Sequence, residues 1–222
     1  MFFWDSKYDK YITLQRNHKR FSAEMLTSTI KVQQKEIDLI NSFLSQPPKT
    51  VMDIGCGLGI YDLALHDYYK SDIDYYLVDK STDPEEESKV FYGFKEQGAF
   101  YNDLEYTHQF LEQNGIPSEN LHVIHVEETQ EETCQYLEEY LPNIDLVISI
   151  ISCGFHYPVS SYLDSIKELL SDDGLFCFHC RGLEENLPAI EASFDILHPQ
   201  KEDIRSGSFL ICKKRVSNLA SL

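Results

Sequence analysis

The chain has 222 residues, 42% of them apolar, enough for one packed α/β domain with a short extension. With 37 acidic against 19 basic residues its formal charge is −18, and a field of that sign repels DNA or RNA at long range. No apolar run is long enough to span a bilayer, and Met1-Phe2-Phe3-Trp4-Asp5 lacks the basic-then-apolar order of a signal peptide, so a cytoplasmic protein without membrane attachment is expected.

Residues 1–20 are aromatic and polar without clear period and read as a frayed end or a flap over a site. From Ser22 to Leu44 the apolar positions Leu26, Ile30, Ile37, Ile40 and Leu44 mark one face of an amphipathic helix, which Pro47-Pro48 stops. Residues 1–46 are therefore expected to be an extension and helix, a flap or packing element, and residues 47–222 the main domain. A strand over about 49–54, a glycine-rich turn and a helix to Tyr69 come next, followed by a strand over about 74–78. Residues 80–101 break the pattern. Asp83-Pro84-Glu85-Glu86-Glu87 is a polar turn and Val90-Phe91-Tyr92-Gly93-Phe94 is aromatic and glycine-broken, which reads as an inserted loop beside a binding site. Asn102-Asp103 cap a helix carrying Leu104, Thr107, Phe110 and Leu111. Strands at 121–126, 144–151 and 174–180 alternate with helices at 129–141 and 160–170, and two last strands at 194–197 and 208–212 suit a closing antiparallel hairpin. Alternation of this kind implies a parallel sheet with right-handed crossovers.

The stretch that organises the chain is Asp53-Ile54-Gly55-Cys56-Gly57-Leu58-Gly59. A strand running into a glycine-rich turn and then a helix is a nucleotide-binding arrangement, because glycine allows the turn and lets a ligand approach the backbone. The dinucleotide spacing Gly-x-Gly-x-x-Gly is not met: the third glycine arrives one residue early, at Gly59. Twenty residues on, Asp79 ends the second strand, where a carboxylate can accept from both hydroxyls of a ribose.

Asp-x-Gly-x-Gly-x-Gly resembles the first motif of class I methyltransferases, which use S-adenosylmethionine. The resemblance covers roughly residues 49–214. It implies an α/β, Rossmann-like methyltransferase fold: a seven-stranded, mostly parallel sheet with an antiparallel last strand and helices on both faces. It also implies a cofactor site built from Asp53, Gly55, Cys56, Gly57, Gly59, Asp79 and Lys80, with Ser149 in the fourth strand. Glu127, at the tip of the third strand, falls where the family commonly places a polar contact to adenine.

Methyl transfer to an oxygen needs an aligned acceptor and a group that removes its proton. In such a sheet the acceptor lies above the carboxyl ends of strands one, four and five. Ser152-Cys153-Gly154-Phe155-His156-Tyr157-Pro158 occupies that rim, with His156 as the expected base and Tyr157 as a residue that orients the acceptor or packs a wall. The Asn/Asp-Pro-Pro-Tyr/Phe motif of adenine methyltransferases is not matched there. The acids that metal-dependent O-methyltransferases place after strands four and five are missing too, with Glu184-Glu185 only further on, so no metal is expected. Cys177 and Cys180 lie on a strand and point to opposite faces, which suits core thiols and not a zinc site.

Gly154-Phe155-His156-Tyr157-Pro158-Val159, taken with Tyr92-Gly93-Phe94 and Phe100-Tyr101-Asn102, resembles bacterial and phage sugar O-methyltransferases. That implies a small-molecule acceptor, such as a sugar hydroxyl. Methylation of protein or RNA, and cofactor binding without turnover, stay open beside it.

Overall fold

In the computed structural model, which describes residues 2–16, 21–81, 103–126, 130–141, 143–156 and 158–215, helices alternate with strands through most of the chain. The helices are α1 (Asp9–Arg16), α2 (Ala23–Asn41), α3 (Ile60–Tyr69), α4 (Leu104–Gln113), α5 (Gln130–Tyr140), α6 (Leu163–Leu169) and α7 (Leu183–Ser193). The strands are β1 (Thr50–Ile54), β2 (Asp74–Asp79), β3 (Leu121–His125), β4 (Ile144–Ser149), β5 (Leu170–Cys180), β6 (Phe194–His198) and β7 (Ser208–Lys214).

They form one sheet in the order β3-β2-β1-β4-β5-β7-β6. β1 to β5 pair in parallel, and β7 runs antiparallel between β5 and β6. The order reverses at β1, which has β2 on one side and β4 on the other. The crevice above the carboxyl ends of β1 and β4 is therefore where an open α/β sheet binds its ligand.

Period-two alternation divides the sheet between two cores. Val51, Tyr75, Leu77, Leu146, Ile148, Leu175 and Cys177 face α2, α3 and α4. Met52, Val78, Val147, Phe176, Phe178 and Cys212 face α5, α6 and α7. Both faces of the central strands are thus apolar, as a parallel sheet covered on both sides requires. Cys177 and Cys180 fall in opposite cores, and all six cysteines are unbridged thiols.

Helix α2 starts where Ser22 Oγ accepts the N–H of Met25 at 3.3 Å. Its buried stripe is Leu26, Ile30, Ile37 and Ile40, each contributing about 1.5–3 kcal/mol by leaving water. It packs on α3 across the face of the sheet. Among the described residues before it, several pack on α4. Trp4 packs on Phe21 and Phe110 with ring centroids 4.6 and 5.7 Å apart, and Tyr8 donates to Gln113 Oε1 at 2.9 Å. Asn114 exchanges two hydrogen bonds with the backbone of Phe3, at 2.8 and 3.2 Å.

β5 begins at Leu170, four residues ahead of its expected start. Ile144 pairs with Leu170 and Leu146 with Leu175, so β5 bulges past β4 and takes Asp172 and Asp173 into its length. The loop expected at 80–101 lies, from residue 82 on, outside the described residues.

Candidate functional site

The glycine turn leaves the carboxyl end of β1 with positive φ at Gly55 (78°), Gly57 (54°) and Gly59 (73°). Gly55 also has no room for a side chain: a Cβ there would lie 2.1 Å from Ser152 Oγ, so the missing carbon lets the turn after β4 close on the turn after β1. The Gly55 N–H donates to Val78 O at 2.7 Å, and Thr107 Oγ1 on α4 donates to Gly57 O at 2.7 Å. Thr107 thus braces the turn from outside, a role its place in the apolar face of a helix does not announce.

Asp79, at the tip of β2, accepts from the Gly57 N–H through Oδ2 and from the Lys80 N–H through Oδ1, both at 2.7 Å. Removal from water lifts its pKa to about 6, and the two N–H bonds oppose the rise. Each oxygen keeps a second lone pair, so the carboxylate can accept two more hydrogen bonds from a ligand diol.

Beneath the turn lies a second acidic feature. Asp53 on β1 is 3% exposed and Asp62, in the first turn of α3, is 0% exposed. Asp53 Oδ1 and both Asp62 oxygens have no well-formed donor among the described residues, which leaves the two carboxyls to each other. Burial pushes both pKa values up, and for Asp53 the charges of Asp62 and Asp79 add to it. Two carboxyls in contact in a dry site hold a proton between them. Cys56 sits beside them, and burial, then the charge of Asp79, keeps its thiol protonated. It contributes packing and backbone to the turn.

Ser149 is turned to the fold. Its Oγ donates to Ile54 O and accepts the N–H of Cys153, both at 2.8 Å, tying β1 to the turn after β4. Glu127 and Tyr157 lie outside the described residues.

The rim turn is built on Ser152 O, which accepts the N–H of Phe155 at 3.0 Å and of His156 at 2.8 Å. The Arg181 N–H, just past β5, donates to Gly154 O at 2.7 Å. Asn186 on α7, 1% exposed, holds three segments together. Its Oδ1 accepts the Val159 N–H at 2.9 Å, and its Nδ2 donates to Gly154 O at 3.3 Å and to Arg181 O. Its amide meets partners from the turn after β4 and the end of β5.

His156 is half-buried, and burial followed by the positive charge of Arg181 lowers its pKa, so the imidazole is neutral at pH 7. Its ring meets that of Phe155 edge-on at 5.2 Å, and the Arg181 guanidinium lies 3.6 Å from the Phe155 centroid. The other histidine near this rim is differently placed. His179 near the end of β5 has Nε2 3.2 Å from Glu36 Oε1 on α2 and Nδ1 3.1 Å from Gly207 O. Burial lowers its pKa, but the bonds to Glu36 and Gly207 outweigh it and the net shift is upward.

Among the described residues no three His, Cys, Asp or Glu side chains converge as metal ligands, and Glu184 and Glu185 are exposed in the first turn of α7. A cavity of about 510 Å³ lies at the other end of α3, between Lys70, Ser71, Asn114 and Ile116, away from the glycine turn.

No protein-family model and no curated protein matches the sequence. Solved structures do. A Staphylococcus aureus protein described as a caffeoyl-CoA O-methyltransferase shares 13% identity over 94% of this chain and 100% of its own, with a TM-score of 0.53. Ribosomal protein L11 methylase from Lactobacillus delbrueckii subsp. bulgaricus shares 19% over 88% and 81%, at 0.50. MycE methyltransferase of the mycinamycin biosynthetic pathway, in complex with Mg and SAH, shares 11% over 88% and 49%, at 0.50. At these identities the likeness establishes the fold, a seven-stranded Rossmann-like sheet of the kind that methyltransferases use.

Proposed function

We propose that this chain is an S-adenosylmethionine-dependent methyltransferase acting on a hydroxyl of a small molecule, a sugar being the leading class, with His156 as the base. The observation that carries the reading is Asp79, held by the Gly57 and Lys80 N–H groups at the mouth of a turn with three left-handed glycines. The likeness in fold to methyltransferases, one of them holding SAH, supports it.

The residues fit the cofactor. Asp79 has two lone pairs to offer a ribose diol, the glycine turn admits a ligand against its backbone, and the buried Asp53–Asp62 pair lies beneath a turn that would hold an ammonium group. When bound, the cofactor supplies an activated methyl on its sulfonium. The protein's own part is to hold the acceptor and take its proton. A neutral imidazole accepts that proton as the oxygen attacks, so the hydroxyl need not ionise beforehand. Asn186 fixes the turn that carries the base. Lys80 is assigned to the cofactor site in this reading. The reaction needs no metal in this reading.

The test is calorimetry. S-adenosylmethionine and its demethylated product should bind, and NAD should not. Asp79→Ala should weaken binding by about 1–3 kcal/mol, the usual cost of leaving buried polar partners unmet. Equal affinity in the variant would remove Asp79 from the site, and tight NAD binding would overturn the reading. Once mass spectrometry with labelled cofactor has identified an acceptor, a chelator should leave turnover unchanged. Activity lost to the chelator and restored by magnesium would refute metal independence and make Glu184 and Glu185 the first residues to substitute.

A further inference from the structure

We propose that Arg181 recognises an anionic group, a carboxylate or a phosphate, on the acceptor, so that the substrate is a hydroxyl compound carrying a negative charge. This rests on the methyl-transfer reading above.

The chain has only 19 basic residues to set against 37 acids. Several of its cations are matched to carboxylates: Lys201 to Glu191, Lys213 to Asp173, Lys214 to Asp172 and Arg215 to Asp195. Arg181 is not. Its guanidinium makes no hydrogen bond or ion pair among the described residues, although acids outnumber bases about twofold.

It is nonetheless held in place. Its N–H is bonded to Gly154 O, its carbonyl to Asn186 Nδ2, and its guanidinium lies 3.6 Å from the centroid of Phe155. A guanidinium carries its five N–H donors in its own plane. Stacking one face on a ring therefore leaves the donor edge available, and that edge matches the two oxygens of a carboxylate or phosphate.

The position is as specific as the geometry. Arg181 is the first residue after β5, and Phe155 precedes the base His156 in the rim turn. The charge of Arg181 is felt at His156. An anion bound by Arg181 thus has its neighbouring hydroxyl within the region the base serves. The need for such a residue follows from the charge of the protein. A field of −18 repels an anionic substrate at long range, so only a local cation at the rim can hold one. A neutral acceptor would have no use for an unmatched, anchored arginine.

The test titrates the full chain, saturated with SAH, with benzoate and with inorganic phosphate while the ring C–H resonance of His156 is followed. Benzamide and sodium chloride at matched ionic strength are the controls. Benzoate, phosphate or both should shift the resonance saturably, and the stronger of the two names the oxyanion. Arg181→Gln should weaken that binding at least tenfold, and Arg181→Lys should keep part of it as a point charge without the fork. SAH is titrated on every variant as the measure of an intact fold. No saturable shift with either anion, equal response to benzamide, or unchanged anion binding in Arg181→Gln would each overturn the proposal. Failure of the methyltransferase reading shows separately, as wild-type protein that does not bind SAH.

Discussion

His156 and His179 stand within one rim of the sheet and do opposite things. Both are partly buried, and both lie past or near the end of a parallel strand, on β4 and β5 respectively. His179 has acceptors beside both nitrogens, a carboxylate and a carbonyl, which favour the protonated ring and raise its pKa. His156 has the charge of Arg181 beside it and is kept neutral. The charge state each ring favours is set by the sign of its neighbours, and those neighbours come from other elements: α2 for one, the end of β5 for the other.

The largest effect that can break this comparison is on turnover. His156→Ala should lower kcat by about 10²–10⁴-fold while SAH affinity stays nearly constant. The wild-type rate should fall as the pH drops through a pKa below the ordinary value of ~6.5 for histidine. A variant that loses SAH binding as much as rate would make His156 structural. Wild-type turnover in a folded variant would dismiss it.

A smaller effect is expected at Asn186, which holds the rim turn to the end of β5. Asn186→Leu removes one acceptor and one donor group from a site 1% exposed: the Val159 N–H loses the amide oxygen it donates to, Arg181 O is left with the weak thiol donor of Cys180, and Gly154 O keeps only the Arg181 N–H. Each unmet buried group costs about 1–3 kcal/mol. Thermal unfolding should show a loss in that range or above. Because the turn carries His156, the proposed base, the folded fraction should also turn over more slowly. Full stability in the variant would show that the turn is held without Asn186.

How far the sequence could foresee this varies by kind of contact. The glycine turn was legible because tight backbone geometry restricts residue type, and Asp79 because a carboxylate at a strand tip has a fixed distance from that turn. The buried stripe of α2 follows from periodicity, and the burial of β4 on both faces from its nearly unbroken apolar run. Asp62 was not legible as a partner of Asp53. An acid in the first turn of a helix ordinarily complements the helix dipole, and only the packing of α3 onto β1 turns it inward. Glu36 and His179 are far apart in the chain, and nothing local in either segment announces the other. Asn186 reads as one more polar position on a helix. The early start of β5 was hidden because Asp172-Asp173-Gly174 has turn chemistry: these residues bulge past β4, and only Leu170 ahead of them pairs with Ile144.

The smallest effect sharpens the comparison through pH and stability. His179 has a raised pKa in the folded protein, so the folded state binds its proton more tightly than the unfolded chain does. The stability it supplies is fully present below the unfolded value of ~6.5 and is lost as the pH rises through its folded pKa. His156 has a lowered pKa and contributes with the opposite sign: its share is present above ~6.5 and is lost as the pH falls through its folded value. Glu36→Gln keeps the shape of the carboxylate and removes its charge, so the first contribution should shrink while the second stays. A charge-assisted hydrogen bond is worth about 1.5–3 kcal/mol, and this pair, with side chains 23% and 30% exposed, belongs at or below the lower end. Urea unfolding from pH 5 to pH 8 should therefore show the variant losing most, relative to wild type, at the acid end of the range. A deficit independent of pH would mean that Glu36 acts by packing alone, and that His179 is not the protonated member of the two.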